Sequence, residues 1–289
     1  MKTINERLIK LKNELKNRKI RIMIIGLGSV GNYLLDYLVS VADENMEICV
    51  VGRNENKMES DVNIVRVASL IRRQNRCQIS IDSSVDLNSI ELITKAIEQF
   101  APDIIVNSSR AYSGLKYGSI SWKAVRAYGI WSPLSIRYTK NIMEAYEKAG
   151  SDAIVINTSY SDAVIPWLKS ANKAYPDFGS GNINHLVYRF KLAAGNILSI
   201  KDYWNIDITF AVSHFHDVCI SKEGHTDGVK MLIDIKYHDN QLLLGIDEII
   251  SRCNIPMPVD AKRNMMNASS NFDIIQAILG AVIDGKITK

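Results

Sequence analysis

The sequence predicts an α/β fold in which a doubly wound parallel sheet is followed by a smaller α+β substrate domain. Three observations support this prediction. Short β-branched runs alternate with segments of helical apolar spacing through the first half, a glycine-rich turn directly follows the first run, and the alternation stops in the second half. We therefore expect an N-terminal helix within residues 1–19, a dinucleotide-binding domain at 20–158 and a substrate domain at 159–289.

The glycine-rich turn is the most specific motif. The run Ile20–Ile25 suits a strand buried on both faces, and residues 32–41 carry apolar side chains at helical spacing. Between them stands the GxGxxG pattern of the Rossmann dinucleotide-binding unit, where glycines permit a tight turn, close approach of a diphosphate and close helix packing. The alternative is a turn whose glycines only pack. The residues predicted to bind the cofactor here are Gly26, Gly28, Ser29, Val30 and Gly31.

The residues after the second predicted strand, 46–51, bear on which dinucleotide binds. NAD-selective sites place Asp or Glu about twenty residues past the glycines. Here Gly52, Arg53 and Asn54 stand at that place with Lys57 beyond, and a guanidinium suits a 2′-phosphate. We therefore predict NADP, bound by Arg53 and Asn54 in a basic loop. NAD is the alternative, with Arg53 and Lys57 as solvated loop charges.

The composition narrows the class of protein. With 289 residues and 47% hydrophobic content the chain can bury a large core, and its net charge of +4 is small. The sequence shows no basic cluster with interleaved aromatics, no apolar run as long as a membrane span and no signal-peptide pattern. The four cysteines are scattered without a CxxC pair, which is typical of reduced thiols. We expect a cytoplasmic protein that binds neither nucleic acid nor membrane.

The other elements of the first half follow from periodicity and caps. Residues 3–18 carry a narrow apolar stripe on a charged helix, which packs either on its own domain or on a second subunit of a homo-oligomer. Asp86 or Asn88 is expected to cap a helix that ends at Phe100. The long aromatic connection 111–133 predicts a lid or binding loop. Further predicted elements are strands at 77–81, 104–107 and 153–157 and a helix at 135–149.

In the second half the pattern is mixed. The segment 238–240 reads as an Asx-type hairpin turn. The polar run 264–271 either caps the last helix or reaches over the cleft. The predicted elements are helices at 163–174 and 182–198, strands at 206–212, 229–237 and 241–244, and a final helix at 272–283.

Residues that directly follow the parallel strands are expected at the ligand crevice, because the strands of a doubly wound sheet end there. Ser108 and Arg110 follow the fourth strand, and Asn157 ends the fifth. Ser108 and Asn157 are predicted to contact the cofactor, and Arg110 to clamp a carboxylate or phosphate beside the nicotinamide. The alternative for Arg110 is a structural role, in which it caps a loop or pairs with Asp162.

The order of these motifs resembles the lactate/malate dehydrogenase superfamily over residues 20–220. That family has a GxGxxG turn, a fourth strand leading into a mobile loop, an Asn-containing turn after the fifth strand, a GSG before a helix with an Asp and an Arg, and a strand ending in the catalytic His. The matching pieces here are Gly26–Gly31, Arg110 with the loop to Pro133, Asn157-Thr158, Gly179-Ser180-Gly181 followed by Arg189, and residues 213–217. The resemblance implies that His214 or His216 transfers the proton and that Arg189 binds the substrate carboxylate.

The chain departs from the family pattern around these histidines. Asn184 and His185 stand where the family has the Asp that orients the catalytic His, and the His itself is duplicated as His214 and His216. A His without a carboxylate partner is a weaker general base. Convergence of the three histidines on a divalent metal is an alternative, but no carboxylate or Cys is in register with them, so no metal is predicted.

The sequence therefore predicts an NADP(H)-dependent oxidoreductase that acts on a small anionic carbonyl, hydroxy-acid or imine substrate. Two alternatives stay open. One is a dinucleotide-binding sensor or partner subunit without its own chemistry, and the other is an NAD- and metal-dependent lyase or glycosidase. The catalytic candidates are His214, His216, Arg110, Arg189 and His185.

Overall fold

The structure, a computed structural model, describes residues 2–41, 45–72, 77–111, 132–212, 224–226, 228–258 and 260–284. These residues group into two compact units. The first lies within Met1–Gly181 and Asp260–Lys289, and the second lies within Asn182–Val259. The chain thus leaves the first unit once and returns to it for its last helix.

The first unit is built on a six-stranded parallel sheet, which confirms the predicted α/β class. Its strands are β1 (Ile20–Ile25), β2 (Met46–Val51), β3 (Gln78–Asp82), β4 (Ile104–Asn107), β5 (Ile154–Asn157) and β6 (Phe178–Gly179). They lie side by side in the order β3-β2-β1-β4-β5-β6. This is the strand order of a doubly wound dinucleotide-binding sheet, with its crossover point between β1 and β4.

The helices of the described chain alternate with these strands and then continue into the second unit. They are α1 (Ile4–Glu14), α2 (Ser29–Val41), α3 (Glu55–Ile71), α4 (Ile90–Phe100), α5 (Ser132–Lys148), α6 (Ser161–Ser170), α7 (Asn182–Leu198), α8 (Ile246–Ser251) and α9 (Asn264–Leu279), the last extended by a π-helical turn at Gly280–Asp284. None of the helices in the described ranges is long and apolar enough to cross a membrane.

An apolar core lies on each face of the parallel sheet. Ile22 and Ile24 belong to the core that α2, α3 and α9 cover, whereas Met23 and Ile25 belong to the core beneath α4 and α5. Successive strand residues point to opposite faces, so the continuous β-branched run of β1 supplies both cores. Only Arg21 of this strand is less than fully buried.

The segment after β2 is a helix where the sequence predicts a basic loop. The Asn54 side chain caps α3 by accepting a hydrogen bond from the Lys57 backbone N–H at 3.0 Å. Met58, Val62 and Val65 bury one side of this helix at spacings of four and three. Lys57 therefore belongs to the first turn of α3, where it forms an ion pair with Asp61 one turn later.

Two predicted helix boundaries are corrected. The cap of α4 is Ser89, which accepts from the Leu92 N–H at 3.3 Å, whereas the Asp86 carboxylate accepts from the Asn88 N–H in a local turn. The run 264–271 is already helical, so α9 begins eight residues before the predicted start at 272. Its polar side chains are used inside the unit, since Asn271 is completely buried.

The helix α1 packs on its own unit, which settles the choice that its apolar stripe leaves open. Leu11 belongs to the core, with Leu8 and Leu15 packed against it. The buried Arg7 donates to the Ala153 carbonyl at 2.9 Å and forms an ion pair with Asp177. Thr3 and Glu6 form a capping box at the helix start.

The boundary between the units differs from the predicted division at residue 158. β6 pairs with β5 through Phe178 and Gly179, which holds residues 159–181 in the first unit. α9 returns to the same unit and packs on α2, with the Tyr37 and Phe272 rings 6.0 Å apart. A strand of two residues is too short to recognise from sequence periodicity.

The second unit contains α7, α8 and an antiparallel sheet, as expected for the smaller α+β part of the chain. The strands are β7 (Ile206–Val212), β8 (Met231–Tyr237) and β9 (Asn240–Gln241), in the order β7-β8-β9. β8 and β9 form the predicted hairpin. Its two turn residues, His238 and Asp239, both have positive φ, as a tight type I′ turn requires.

Candidate functional site

The glycine turn joins β1 to α2 at the carboxyl edge of the parallel sheet. Gly26 has φ +91°, a left-handed conformation that side chains rarely adopt, and a Cβ there would lie 2.9 Å from Ser109 Cα. A Cβ on Gly31 would overlap the Gly26 carbonyl oxygen. These two glycines allow the chain to turn tightly and let α2 begin against the turn itself.

Gly28 differs from the other two glycines. A Cβ built on it meets nothing within 4 Å. Gly28 and Ser29 are exposed, whereas Val30 is buried in the core. Open space therefore lies against the turn at the residue before α2, where the N–H groups of a first helical turn lack partners in the helix. A dinucleotide diphosphate fits this cradle, because its anionic oxygens need main-chain donors and close backbone approach.

Ser108 braces this turn from the neighbouring strand. Its hydroxyl donates to the Gly26 carbonyl at 2.6 Å, and a Cβ on Gly31 would lie 3.1 Å from Ser108 Oγ. The Ser108 N–H also bonds to the Ile25 carbonyl at 3.0 Å. Ser108 thus holds the shape of the turn, and its contact with the cofactor stays a prediction.

Arg53 lies just beyond the carboxyl end of β2. The Gly52 N–H donates to the Asp82 carbonyl at 3.0 Å, which ties this turn to the end of β3. Arg53 is exposed and makes no ion pair or hydrogen bond with the residues that the structure describes. Asn54, also predicted to bind the cofactor, uses its side-chain oxygen to cap α3. Arg53 is therefore the residue of this turn with a charge available to a ligand.

Two buried amides connect the ends of β4 and β5. Asn107 Nδ2 donates to Asn157 Oδ1 at 2.8 Å, and Asn107 Oδ1 accepts from the Ser109 N–H at 3.1 Å. Asn157 Nδ2 donates to the Ser159 carbonyl at 3.0 Å and to Ser161 Oγ at 3.2 Å. Asn157 is fully buried. Both ends of its amide are engaged, so in this arrangement Asn157 positions the turn after β5.

Arg110 is the last of the residues that follow β4 and are predicted to lie at the ligand crevice. It is exposed, three residues beyond β4, and no carboxylate pairs with it among the described residues. A guanidinium without a protein partner at the end of a parallel strand is suited to bind an anion.

A second buried network was missed by sequence reasoning. Thr158 Oγ1 accepts from Asn271 Nδ2 at 2.9 Å, and Ser180 Oγ donates to Asn271 Oδ1. These contacts join the turn after β5, the end of β6 and α9, across more than 90 residues of sequence. The polar run 264–271, which ends at Asn271, marks this segment as unusual in the sequence. The residues that Asn271 bonds to are distant along the chain, so the sequence does not reveal them.

In the second unit the predicted His185 and Arg189 lie one turn apart on α7. Both are buried, with Arg189 only 2% exposed. Arg189 Nη1 donates to the Cys253 carbonyl at 3.5 Å, and Nη2 approaches Met257 Sδ at 3.4 Å. Burial raises the pKa of the Cys253 thiol to about 12, and the nearby Arg189 charge opposes this shift. Cys253 is therefore a neutral packing residue at physiological pH.

His214 and His216 lie outside the described residues. Among the described residues, which omit these two histidines, no three or more His, Cys, Asp or Glu side chains are grouped so that they could hold a metal ion.

The fold is shared with solved malate and lactate dehydrogenases. Malate dehydrogenase from Cryptosporidium parvum has a TM-score of 0.58 at 14% identity, covering 93% of this chain and 79% of that one. Lactate dehydrogenase from the same organism, complexed with lactic acid and NAD, has a TM-score of 0.57 at 13% identity, and the match covers 90% of this chain and 77% of that one. Lactate dehydrogenase from Eimeria maxima with NADH and oxamate has a TM-score of 0.51 at 15% identity, and the match covers 90% of this chain and 68% of that one. No protein-family model and no curated protein matches the sequence.

The parallel sheet and its glycine cradle thus define a Rossmann-type dinucleotide-binding fold with an attached antiparallel unit. More particularly, the chain has the fold of the malate and lactate dehydrogenases, which confirms at the level of structure the resemblance that its motifs predict.

Proposed function

We propose that this protein is an NADP(H)-dependent oxidoreductase that acts on a small anionic carbonyl, hydroxy-acid or imine substrate. The observation that carries the proposal is the glycine turn of the first unit. Its outer glycines are required by the turn, whereas Gly28 borders open space at the start of α2. The malate and lactate dehydrogenases of similar fold support it, since two of them were solved with NADH or NAD.

The preference for NADP over NAD is supported by Arg53. This guanidinium lies at the end of β2, where an NAD-selective site has a carboxylate, and none of the described residues neutralises it by direct contact. A 2′-phosphate adds two negative charges and accepts a bidentate pair of hydrogen bonds. A ribose hydroxyl offers neither, so Arg53 favours the phosphorylated dinucleotide.

The reaction divides between cofactor and protein. When bound, the nicotinamide supplies or accepts the hydride. Ser108, Asn107 and Asn157 keep the carboxyl ends of β1, β4 and β5 in shape. Arg110 binds an anionic group of the substrate, and we assign the same kind of role to Arg189 because the resemblance implies it. His214 or His216 holds the proton that must accompany the hydride, and His185 stands where the related enzymes have an Asp.

The first experiment is a titration of the protein with NADPH and NADH, followed by Gly28→Ala. NADPH should bind with at least about tenfold higher affinity than NADH, as one charge-assisted contact implies. Gly28→Ala should weaken both by restricting approach to the main chain, without lowering the unfolding free energy. Absence of binding by either nucleotide would refute the proposal, and tighter binding of NADH would refute the NADP preference alone.

Substrate class is tested by screening oxo acids and imines for NADPH consumption. Replacing His214 and His216 together by Asn should lower turnover by about 10²–10⁴-fold while NADPH binding is retained. Unchanged turnover would remove both histidines from the mechanism.

A binding protein without its own chemistry is the second candidate. It is favoured by α7, which has no acidic residue in its first turn, where the related enzymes carry the Asp that orients the catalytic His. Tight NADPH binding with no turnover of any oxo acid or imine would support this candidate.

We also propose that the protein is a cytoplasmic homo-oligomer, as the sequence predicts. Light scattering measures the oligomeric state.

A further inference from the structure

The arginines of the first unit differ in whether the protein itself uses their charge. Arg7 pairs with Asp177, Arg18 with Glu14 and Asp103, and Arg72 with Asp36. Arg53 and Arg137 are exposed and make no such contact with any residue in the described ranges. Together with Arg110, these two guanidiniums of the first unit are left available to a ligand.

Arg137 lies in α5, and α5 is anchored beside the end of β3. Asn141 Nδ2 donates to the Leu87 carbonyl at 2.9 Å. Arg137 is four residues earlier, so it projects from the same side of the helix one turn nearer to its start. Leu87 lies on the connection 82–88, which follows β3. At the start of this connection the Asp82 carbonyl accepts a hydrogen bond from the N–H of Gly52, the residue before Arg53.

Asp86 lies on this connection, and the charges of both arginines act on its carboxylate. Its carboxylate accepts from the Asn88 N–H at 3.0 Å and from Asn88 Nδ2 at 2.8 Å. These hydrogen bonds lower the Asp86 pKa, and the charges of Arg53 and Arg137 lower it further. Both guanidiniums therefore act on a carboxylate of the connection 82–88. Hydrogen bonds tie this connection to Gly52, next to Arg53, and to Asn141, one helical turn from Arg137.

We propose that Arg137 is a second binding residue for the 2′-phosphate of NADP(H), acting with Arg53. The inference rests on the proposed function and adds a specificity-determining residue on a different element. A phosphate monoester carries up to two negative charges and three acceptor oxygens, so two guanidiniums can bind it without competing.

The experiment measures dissociation constants of NADPH, NADH and adenosine 2′,5′-bisphosphate by calorimetry. The proteins are the wild type, Arg137→Gln, Arg137→Lys and Arg53→Gln, with Lys140→Gln as the matched control on the exposed side of the same helix. Arg137→Gln should weaken NADPH and the bisphosphate about 10- to 100-fold and leave NADH within about twofold. Arg137→Lys should give an intermediate loss, and Lys140→Gln none.

The outcomes separate this inference from the proposed function. If the wild type prefers NADPH and only Arg53→Gln removes the preference, the role of Arg137 is refuted and the proposed function stands. If Arg137→Gln weakens NADH as much as NADPH, the residue acts on the nucleotide as a whole and the inference is also refuted. If the wild type binds NADPH no better than NADH, the NADP preference and the inference fail together.

Discussion

Several polar residues at the carboxyl edge of the sheet bond to other parts of the protein. Asn157 and Ser108 stand where a dinucleotide contact is expected, yet their side chains bond to neighbouring strands and turns. A residue of this kind acts by holding others in position. Its replacement is therefore expected to affect folding before it affects affinity.

Asn157→Leu should destabilise the first unit by about 1–3 kcal/mol, because Asn107 Nδ2 and Ser161 Oγ would each lose a buried partner. Urea unfolding measures the change. Asn56→Ala on the exposed side of α3 is the control and should change little. Equal stability of the two variants would show that the amide network contributes nothing.

Gly31→Ala should be much more damaging than Gly28→Ala. The new methyl group would collide with the Gly26 carbonyl, whereas at Gly28 it meets open space. We expect Gly31→Ala to lower the unfolding free energy by about 1–3 kcal/mol, as overpacking does, and to weaken nucleotide binding. Thermal unfolding of the Gly31→Ala and Gly28→Ala proteins, with and without NADPH, measures the stability and the nucleotide binding of each variant. A stable Gly31→Ala protein would mean that α2 can shift away from the turn.

At the scale of elements, α1 shows how an amphipathic helix is fixed to one surface. Its narrow apolar stripe supplies Leu11, and its buried Arg7 reaches the residue before β5. The partner of Arg7, Asp177, also accepts from the Val155 N–H at 2.9 Å, so the ion pair joins α1, β5 and the approach to β6.

Arg7→Met should destabilise the protein by about 3–5 kcal/mol, because Asp177 would remain buried without its cation. Lys12→Met, on the exposed side of α1, is the control. The double variant Arg7→Met/Asp177→Asn should recover part of the loss, since no buried charge is then left over. Additive losses would argue against a coupled pair.

The acid stability of α1 depends on Glu14. A hydrogen bond from Arg18 lowers the Glu14 pKa below its ordinary value of 4.5. The stabilisation is therefore complete above that value and is lost as the pH falls through the lower folded-state pKa. Because Glu14 is partly exposed, the contribution should be no more than about 1 kcal/mol.

Glu14→Gln should accordingly have a flatter dependence of unfolding free energy on pH between about 5 and 3 than the wild type. At neutral pH the variant should be slightly less stable. Glu59→Gln on α3 is the control, and a wild-type curve identical to that of Glu14→Gln would contradict the prediction.

At the scale of the whole molecule, two compact units each bury a cysteine that can report on opening. Cys49 lies in β2 of the first unit and Cys253 follows α8 in the second. Burial raises the pKa of Cys49 to about 11 and that of Cys253 to about 12. Neither thiol is expected to react in the native state at neutral pH.

Thiol labelling under increasing urea, read by mass spectrometry for each cysteine, should show slow modification until the unit that holds the cysteine opens. Different urea midpoints for Cys49 and Cys253 would indicate units of different stability, and a single midpoint would indicate one cooperative transition. Rapid labelling of either cysteine without denaturant would contradict its burial.

The parallel sheet was predictable because its signals are local. The β-branched run of β1, the glycines behind it and the helical spacing of α2 each identify an element from a few adjacent residues. The hairpin turn at His238 and Asp239 was also readable for this reason. The sequence does not predict α3, because the first turn of this helix is polar and resembles a loop.

The sequence alone predicts the fold class, the succession of the main strands along the chain, the position of the glycine turn and a basic residue after β2. Contacts between distant segments add three features that the sequence does not reveal. Other polar groups enclose Asn157, Asn271 joins a network with Thr158 and Ser180, and α1 packs on its own unit. The tertiary structure also fixed α5, which carries Arg137, to the connection after β3 through Asn141. The physical reason is that periodicity and turn chemistry act between near neighbours, whereas burial and hydrogen-bond partners depend on segments that meet only after the chain has folded.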